Sequence, residues 1–498
     1  MGQGMEVLYG DIHNHNALGY GIGSLERAID VARTHLDFFA FTGHAAWHDM
    51  VPMEGGREKH WLDGFQRLAQ GWPKVQQLIE AANRDPDFTA FLGYEWHSSR
   101  YGDQCVILPD DHRPLFLPDT VAELRRYCMA ERGLMIPHHL AYATGHRGVN
   151  WDVFAEGCTP VVEIFSEHGC SEHDRAPYDF FTHSMGGRDS ANTVKAALAR
   201  GMKFGFVAST DSHSGFPGAF DEGLLAVYAR GRDRAAIMEG LNARRTVALT
   251  GDRIAAFFSV NGAPMGADVR TGTTAEVSYE IDARDEIDMI ELVQDGVTVH
   301  RDFVRPDVSL EAATAAPFQL RLEWGWGPWT DLALARVCDW TFTVTVEGGT
   351  LDRVVPCLRS GPFDEDRRHR FTRRGDNAVE VVSYTSRQGA YRLNPNHSVV
   401  LEVCGDADTV VKVDLAAPAV MSATSRVADL YAGSQNVFTG PFPKESYQWH
   451  RLLPRAATAL SGRARLAVPQ DRPSSVYMRA RQTNGQAAWA SPVFMNHP

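Results

Sequence analysis

The sequence predicts an α/β unit over residues 1–251, its strands gathered into a barrel, followed by a β-rich, sandwich-like region over 252–498 that could hold two structural units. Three observations carry this reading. Six short apolar runs in the first 215 residues each end on a residue able to bind a metal ion. Helical periodicity alternates with those runs as far as about Leu249. After Gly251 the texture changes to alternating segments of period two, separated by Gly, Asp and Asn. A continuous apolar run marks a strand buried on both faces, and αβ barrels collect their chemistry at the C-terminal strand ends.

Taken in order, residues 6–9 lead into Asp11, His13 and His15, and residues 36–42 (LDFFAFT) into His44. The run 88–94 (FTAFLGY) leads into Glu95, and 133–137 into His138 and His139. Residues 160–165 (PVVEIF) pass through Glu163 to His168, and 204–210 (FGFVAST) lead into Asp211 and His213. Between them, residues 24–36 predict a helix with Ser24 as its N-cap and Glu26 in the first turn. Residues 61–83, 120–132 and 190–200 predict helices in the same way. This βαβα order predicts a mostly parallel sheet, closed into a barrel. Residues 45–57 and 170–188 read as loops over the barrel mouth.

Beyond residue 251, segments 275–281, 288–293, 340–346, 399–403 and 475–494 read as strands. Trp324, Trp326 and Trp329 read as packing between sheets rather than a carbohydrate site. The arginine-rich stretch 367–374 reads as a solvated loop.

At 498 residues the chain is too long for one compact core, so two or three domains are expected. A net charge of -13 argues against a general nucleic-acid binder, whose contacts need a basic surface. It leaves small anions open, because bound metal ions would set the local field. No run of eighteen apolar residues predicts a membrane span, and the opening MGQGMEVLYGDIH has no leader-like pattern. Seven cysteines, odd in number and without a CxxC pair, suit reduced thiols and a cytoplasmic location. The expected partner is a small-molecule substrate, and a homo-oligomer remains open.

Residues two apart on an extended chain point the same way, so His13 and His15 can face one ion. Asp211 and His213 repeat that geometry. Glu95 can bridge two ions because it has two oxygens. Asp11 could accept an imidazole N–H or form a turn. Glu163, inside an apolar strand, needs a partner, because an unpaired buried carboxylate is costly.

The pieces GDIHNH, FFAFTGHA, FLGYEW, LMIPHH and STDSHSG resemble the PHP family, named for polymerase and histidinol phosphatase. The pieces PHHLAY, RGVNWD, VVEIFSEHG, ALTGDRIAAFFSVNGAPMG and VYMRARQTNGQAAWASP resemble its branch with an added β-rich C-terminal region. The resemblance implies a distorted (β/α)7 barrel with up to three divalent ions in its mouth. By motif it implies that His13, His15, Glu95 and Asp211 hold a first ion. Glu95 would bridge to a second ion with His138, and His44 and His213 would serve a third.

The chain departs from the family pattern at three places. It reads Thr42-Gly43-His44 where members carry Thr-Asp-His, and residues 18–23 hold no further histidine. After the bridging glutamate, where a histidine is usual, it offers Asp103. The resemblance therefore implies two ions, with the third position weakened. They would be manganese, zinc or iron, and an aspartate ligand would favour manganese or iron.

Ions a few ångströms apart would make hydroxide available near neutral pH and clamp the oxygen on which charge develops. The expected activity is hydrolysis of a small-molecule phosphoester. A carboxylic ester, lactone or amide is the alternative, and a non-catalytic binding protein with a degenerate barrel is a second. Candidate proton donors are His168, His139 and His48. Arg147 is a candidate clamp for a substrate anion, although it reads more simply as an exposed loop residue or a partner of Asp152. His48, His60, His173 and His183 read more simply as loop histidines, and Asp103 could be a turn residue.

Overall fold

Strand pairing in the computed structural model runs through most of the chain. The described residues are 4–84, 87–182, 186–304, 307–326, 337–359, 365–386, 394, 396–442 and 444–496. His183 and Trp329 lie outside them. The described residues form a mixed, strand-rich α/β protein of several sheets, the largest of thirteen strands.

In that sheet Thr246–Leu249, Leu224–Ala229, Glu6–Asp11, Phe38–Ala40, Thr89–His97, Gln104–Leu108 and Leu134–Pro137 lie side by side. Val161–Ser166 and Gly205–Ala208 form a separate parallel pair. That pair packs between Leu134–Pro137 and Thr246–Leu249. Eight of these strands, all but Thr246–Leu249, share a core that includes Leu8, Phe38, Phe91, Ile107, Ile136, Val161, Val207 and Val227. Among the described residues their ladders do not join into one hydrogen-bonded ring.

The expected mostly parallel sheet is corrected by the pairing. Glu6–Asp11 with Phe38–Ala40, and Phe38–Ala40 with Thr89–His97, are parallel. Glu6–Asp11 with Leu224–Ala229, and Gln104–Leu108 with both neighbours, are antiparallel. The link between His97 and Gln104 is too short for the crossover that a parallel pair needs, so a hairpin forms. An apolar run carries no sign of strand direction, which is why the pattern missed this.

Five helices lie between these strands, at Leu25–His35, Lys59–Ala82, Val121–Ala130, Val194–Ala199 and Arg234–Asn242. The side chains of Ser24, Thr120 and Thr193 accept from the N–H groups of Arg27, Glu123 and Ala196, fixing three helix starts. The segment expected to be a loop from residue 45 begins as a strand, His44–Trp47, parallel to Thr89–His97.

Position 251 separates two textures, yet the sheet runs across it. Ala487–Asn496 pairs with Thr246–Leu249, and Ser474–Gln482, Ile287–Gln294 and Val297–Phe303 extend the sheet beyond. The four-stranded sheet containing Ala255–Val260, Thr274–Asp282 and Ala459–Ala467 covers this extension through Phe258, Val277, Ile290 and Met478. Two five-stranded sheets pack face to face around Trp324, Trp340, Phe342, Leu401 and Val413, a sandwich. Trp324 is fully buried, and its indole N–H donates to Ser383 Oγ at 3.2 Å. The arginine-rich stretch contains a strand, Arg370–Arg373, and Arg370 pairs with Asp30. No described helix is long and apolar enough to cross a membrane.

Buried polar contacts tie the halves together. Asp252 accepts from Arg321, Gln482 and Asn484. Glu172, with no exposed surface, accepts from Tyr477 Oη at 2.6 Å, Arg479 Nη1 at 2.8 Å and Trp489 Nε1 at 2.9 Å.

Candidate metal centre

The two segments with alternate polar residues lie beside each other. Asp211 N donates to His13 O at 2.7 Å, and His15 N donates to Ser212 O at 2.9 Å. Asp11 knits them further, accepting from His13 N at 3.0 Å, Thr210 Oγ1 at 2.6 Å and Gly218 N at 2.8 Å. Its carboxylate therefore serves two backbone N–H groups and the Thr210 hydroxyl and not an imidazole, and burial pushes its pKa up to about 6.

Two carboxylates stand at the middle, each facing different imidazoles with its two oxygens. Glu95 Oε2 is 3.5 Å from both His15 Nε2 and His44 Nε2. Glu95 Oε1 is 2.7 Å from His138 Nε2 and 3.2 Å from His97 Nδ1. Asp211 Oδ1 lies 2.8 Å from His15 Nε2 and 3.2 Å from His13 Nε2. Asp211 Oδ2 lies 2.9 Å from His168 Nε2 and 3.5 Å from His139 Nε2. His213 sits at the rim, its Nδ1 3.6 Å from Glu167 Oε1. Both His138 and His139 thus face the centre.

Behind this layer, Glu163 Oε2 is 3.0 Å from His13 Nδ1, which gives the buried Glu163 the partner its strand position requires. Asp103, also without exposed surface, is gripped by Arg147 through Nε at 2.7 Å and Nη2 at 2.6 Å. Its other oxygen accepts from Ser98 N at 3.1 Å. Arg147 is therefore neither an exposed loop residue nor a partner of Asp152, which pairs with Arg200. His97 stands between Glu95 and Asp103, 3.4 Å from Asp103 Oδ2.

His97 was missed in the sequence, although its position two residues after Glu95 puts both side chains on one face of the strand. Glu167 was missed too, and no spacing signals it, because it belongs to the turn after Val161–Ser166. His48 does not join the cluster; its Nδ1 is 3.1 Å from the exposed Asp119.

Burial alone would raise the carboxyl of Glu95, yet His97, His138 and His15 outweigh it and hold it well below the usual range. Asp211 is held down in the same way, with His13 and His168 outweighing burial. Burial pushes His15 down to about 3 and His44 and His139 well below 6.5, which leaves these rings neutral. At His13 and His138 the surrounding acidic groups, Asp211 and Glu163 for the first and Glu95 for the second, outweigh burial and hold the rings well above 6.5, so an ion binding there would displace a proton. Neutral imidazole and ionised carboxylate are the forms that bind metal.

The donor set fits divalent ions. His13, His15 and Asp211 offer ligand atoms within 4.8 Å of one another, as do His44, Glu95 and His97. Glu95 Oε2 and His13 Nε2 are buried and make no hydrogen bond. Buried polar atoms without partners are rare, and several converging on one point suit coordination. Backbone strain gathers here as well: Asp211, His139 and Arg147 have φ of 55°, 51° and 71°.

Position 43 has no room for a side chain. A Cβ there would lie 2.5 Å from Phe41 Cζ and 2.7 Å from the Leu18 carbonyl oxygen. The loop after His15 fills the space that a side chain at 43 would need. From it Tyr20 stacks on His44, ring centroids 3.4 Å apart.

A cavity of about 720 Å³ opens over the centre. Glu95, Asp211, His44, His139, His168 and His213 line it, as do Tyr20, Trp61, Tyr142 and Arg147.

Comparison with known proteins gives relatives without a stated activity. No family model matches the chain. An uncharacterized protein of Chlamydia muridarum is 28% identical over 251 residues, covering 45% of this chain and 40% of that protein. Uncharacterized proteins of Chlamydia trachomatis and Chlamydia pneumoniae are 30% and 29% identical, covering 40% and 47% of this chain and 34% and 41% of theirs. The matched part thus spans less than half the length of these curated relatives. A solved two-domain protein from Bacteroides vulgatus, described as containing a predicted PHP-like metal-dependent phosphoesterase, is 16% identical. The match covers 59% of this chain and 80% of that one, with a TM-score of 0.35, too low to carry an argument.

Proposed function

We propose that this protein is a metal-dependent hydrolase of the PHP type, with two divalent ions in the mouth of a barrel-like α/β unit. One observation carries the reading: Glu95 presents Oε2 to His15 and His44 and Oε1 to His138 and His97. A carboxylate so divided is built to bridge. His13, His15 and Asp211 would complete one ion's set. His138 and His97 would supply the other, with the Arg147 guanidinium set between Asp103 and His97, its Nη2 2.6 Å from Asp103 Oδ2 and 3.3 Å from His97 Nδ1. The mixture of imidazole and carboxylate suits manganese, zinc or iron.

Such ions, when bound, lower the pKa of water and neutralise charge developing on a substrate oxygen. The chain's own groups do the rest. Glu163 fixes the His13 ring through Nδ1, leaving Nε2 to face the centre. His168 lines the cavity with Nε2 against Asp211, and is the residue placed to deliver a proton to a leaving group. His139 beside it is held neutral by burial and by the neighbouring His138 and His168, so it suits accepting a hydrogen bond or binding an ion rather than delivering a proton. The bond proposed is a phosphoester of a small molecule.

A second reading, hydrolysis of a carboxylic ester, lactone or amide, is favoured by one feature. Among the described residues no lysine lines the cavity, and its one arginine, Arg147, is already engaged by Asp103. Metal analysis after reconstitution tests the first step: about two ions per chain are expected, and fewer than one sinks the proposal. Comparing p-nitrophenyl phosphate, phosphodiesters, lactones and aryl esters then decides the bond.

A further inference from the structure

The cavity over the centre has two unlike parts. One part of its lining is the imidazole and carboxylate cluster with Ser212 and Ser214; another is the largely aromatic and apolar set Tyr20, Ile22, Trp61 and Tyr142. That second set is built rather than incidental. Helix Lys59–Ala82 carries Trp61 in its first turn. It docks on the Tyr20 loop because residue 64 is glycine; a Cβ there would meet the Tyr20 ring at 3.0 Å. Trp61 stands edge-on to Tyr20, centroids 6.2 Å apart at 71°, and Trp47 stands edge-on to Trp61 at 6.4 Å. Tyr142 is held flat between His139, 4.7 Å away, and Arg188, 3.9 Å above its ring.

A volume of about 720 Å³ is far more than a phosphoryl or carboxyl group fills, and matches a site for a substrate with a sizeable body. Ile22 is 47% exposed at the mouth, an apolar surface that a bound body would cover. The guanidinium of Arg147 already grips Asp103, so the described lining offers no uncommitted arginine or lysine for a second anionic group.

We propose that the substrate is a monoester with a single hydrolysable head and a planar aromatic body, the ring lying against Trp61 and Ile22. This rests on the hydrolase reading for the head, but its test does not depend on turnover.

Calorimetric binding of phenylphosphonate and methylphosphonate to the metal-loaded protein isolates the ring. Phenylphosphonate is expected to bind at least about tenfold more tightly, the size of one good aromatic contact plus buried area. Trp61→Leu and, independently, Ile22→Ala should each shrink that ratio while leaving methylphosphonate affinity unchanged. Equal affinities, no binding of phenylphosphonate, or a ratio untouched in both variants would overturn the proposal. A retained ring preference without hydrolysis of any ester would instead sink the hydrolase reading alone.

Discussion

The carbonyl oxygen of Leu18 occupies the space beside Gly43, 2.7 Å from where a Cβ would begin. A side chain at 43 must displace either this loop or the Phe41 ring. Gly43→Ala is expected to cost about 1–3 kcal/mol through overpacking, read as a lower midpoint in urea. Gly43→Asp should lose stability as well and gain no further ion; a third ion per chain in that variant would show that the loop yields.

Glu95→Gln removes the charge that the two groups of histidines share. Metal content and activity should fall together, activity by at least about a hundredfold. Unchanged metal occupancy, measured by mass spectrometry, would show that Glu95 does not bridge.

Glu163 reaches the centre only through His13, at 3.0 Å. Glu163→Gln should weaken metal affinity about 10- to 100-fold in a chelator competition. Saturating metal should restore most of the activity. Loss that persists at saturation would assign Glu163 a more direct part.

Acid should destabilise the fold through buried histidines outside the ligand cluster. Burial pushes His35 down to about 4 and His397 to about 3, against 6.5 for a free ring. A folded-state pKa below the unfolded value gives stability that is complete above about pH 6.5 and lost as pH falls through the folded pKa. For His35, whose Nε2 lies 2.8 Å from Pro217 O, the loss amounts to roughly 3 kcal/mol by pH 4. Urea unfolding from pH 7 to pH 4 should show this decline, and His35→Gln should flatten part of it. A variant with the same slope would count against the assignment.

Arg479 is buried between Glu172 and Glu291. Arg479→Met would leave the buried Glu172 without its cation and Glu291 with Arg301 alone, at a cost of about 3–5 kcal/mol. The variant's thermal midpoint should drop sharply, and Glu172→Gln in the same chain should recover part of it.

The strands with ligands at their ends were legible because burial on both faces writes a continuous apolar run, and His13, His15, Glu95, His138 and Asp211 do converge. Helix starts were legible where a side chain caps them, as at Ser24 and Thr120. Strand direction was not, since Gln104–Leu108 looks the same parallel or antiparallel. Asp103 and Arg147 could each be named but not joined, because 44 positions of sequence, holding two strands and a helix, separate them. His97 carries the same signal as its neighbours: the alternation that pairs His13 with His15 pairs Glu95 with His97.

The strand Ala487–Asn496 lies directly beside Thr246–Leu249, and Thr246 Oγ1 meets Ser491 Oγ at 2.7 Å across 245 positions of sequence. Closing so long a loop comes before any reward from the contacts, so this pairing belongs to a slow stage of folding. Until it is made, Thr246–Leu249 presents a bare apolar edge next to the strands that carry the ligands. An edge of that kind recruits other chains. The yield of native protein should therefore depend on how quickly residues 487–496 arrive, and on chain concentration while they are awaited.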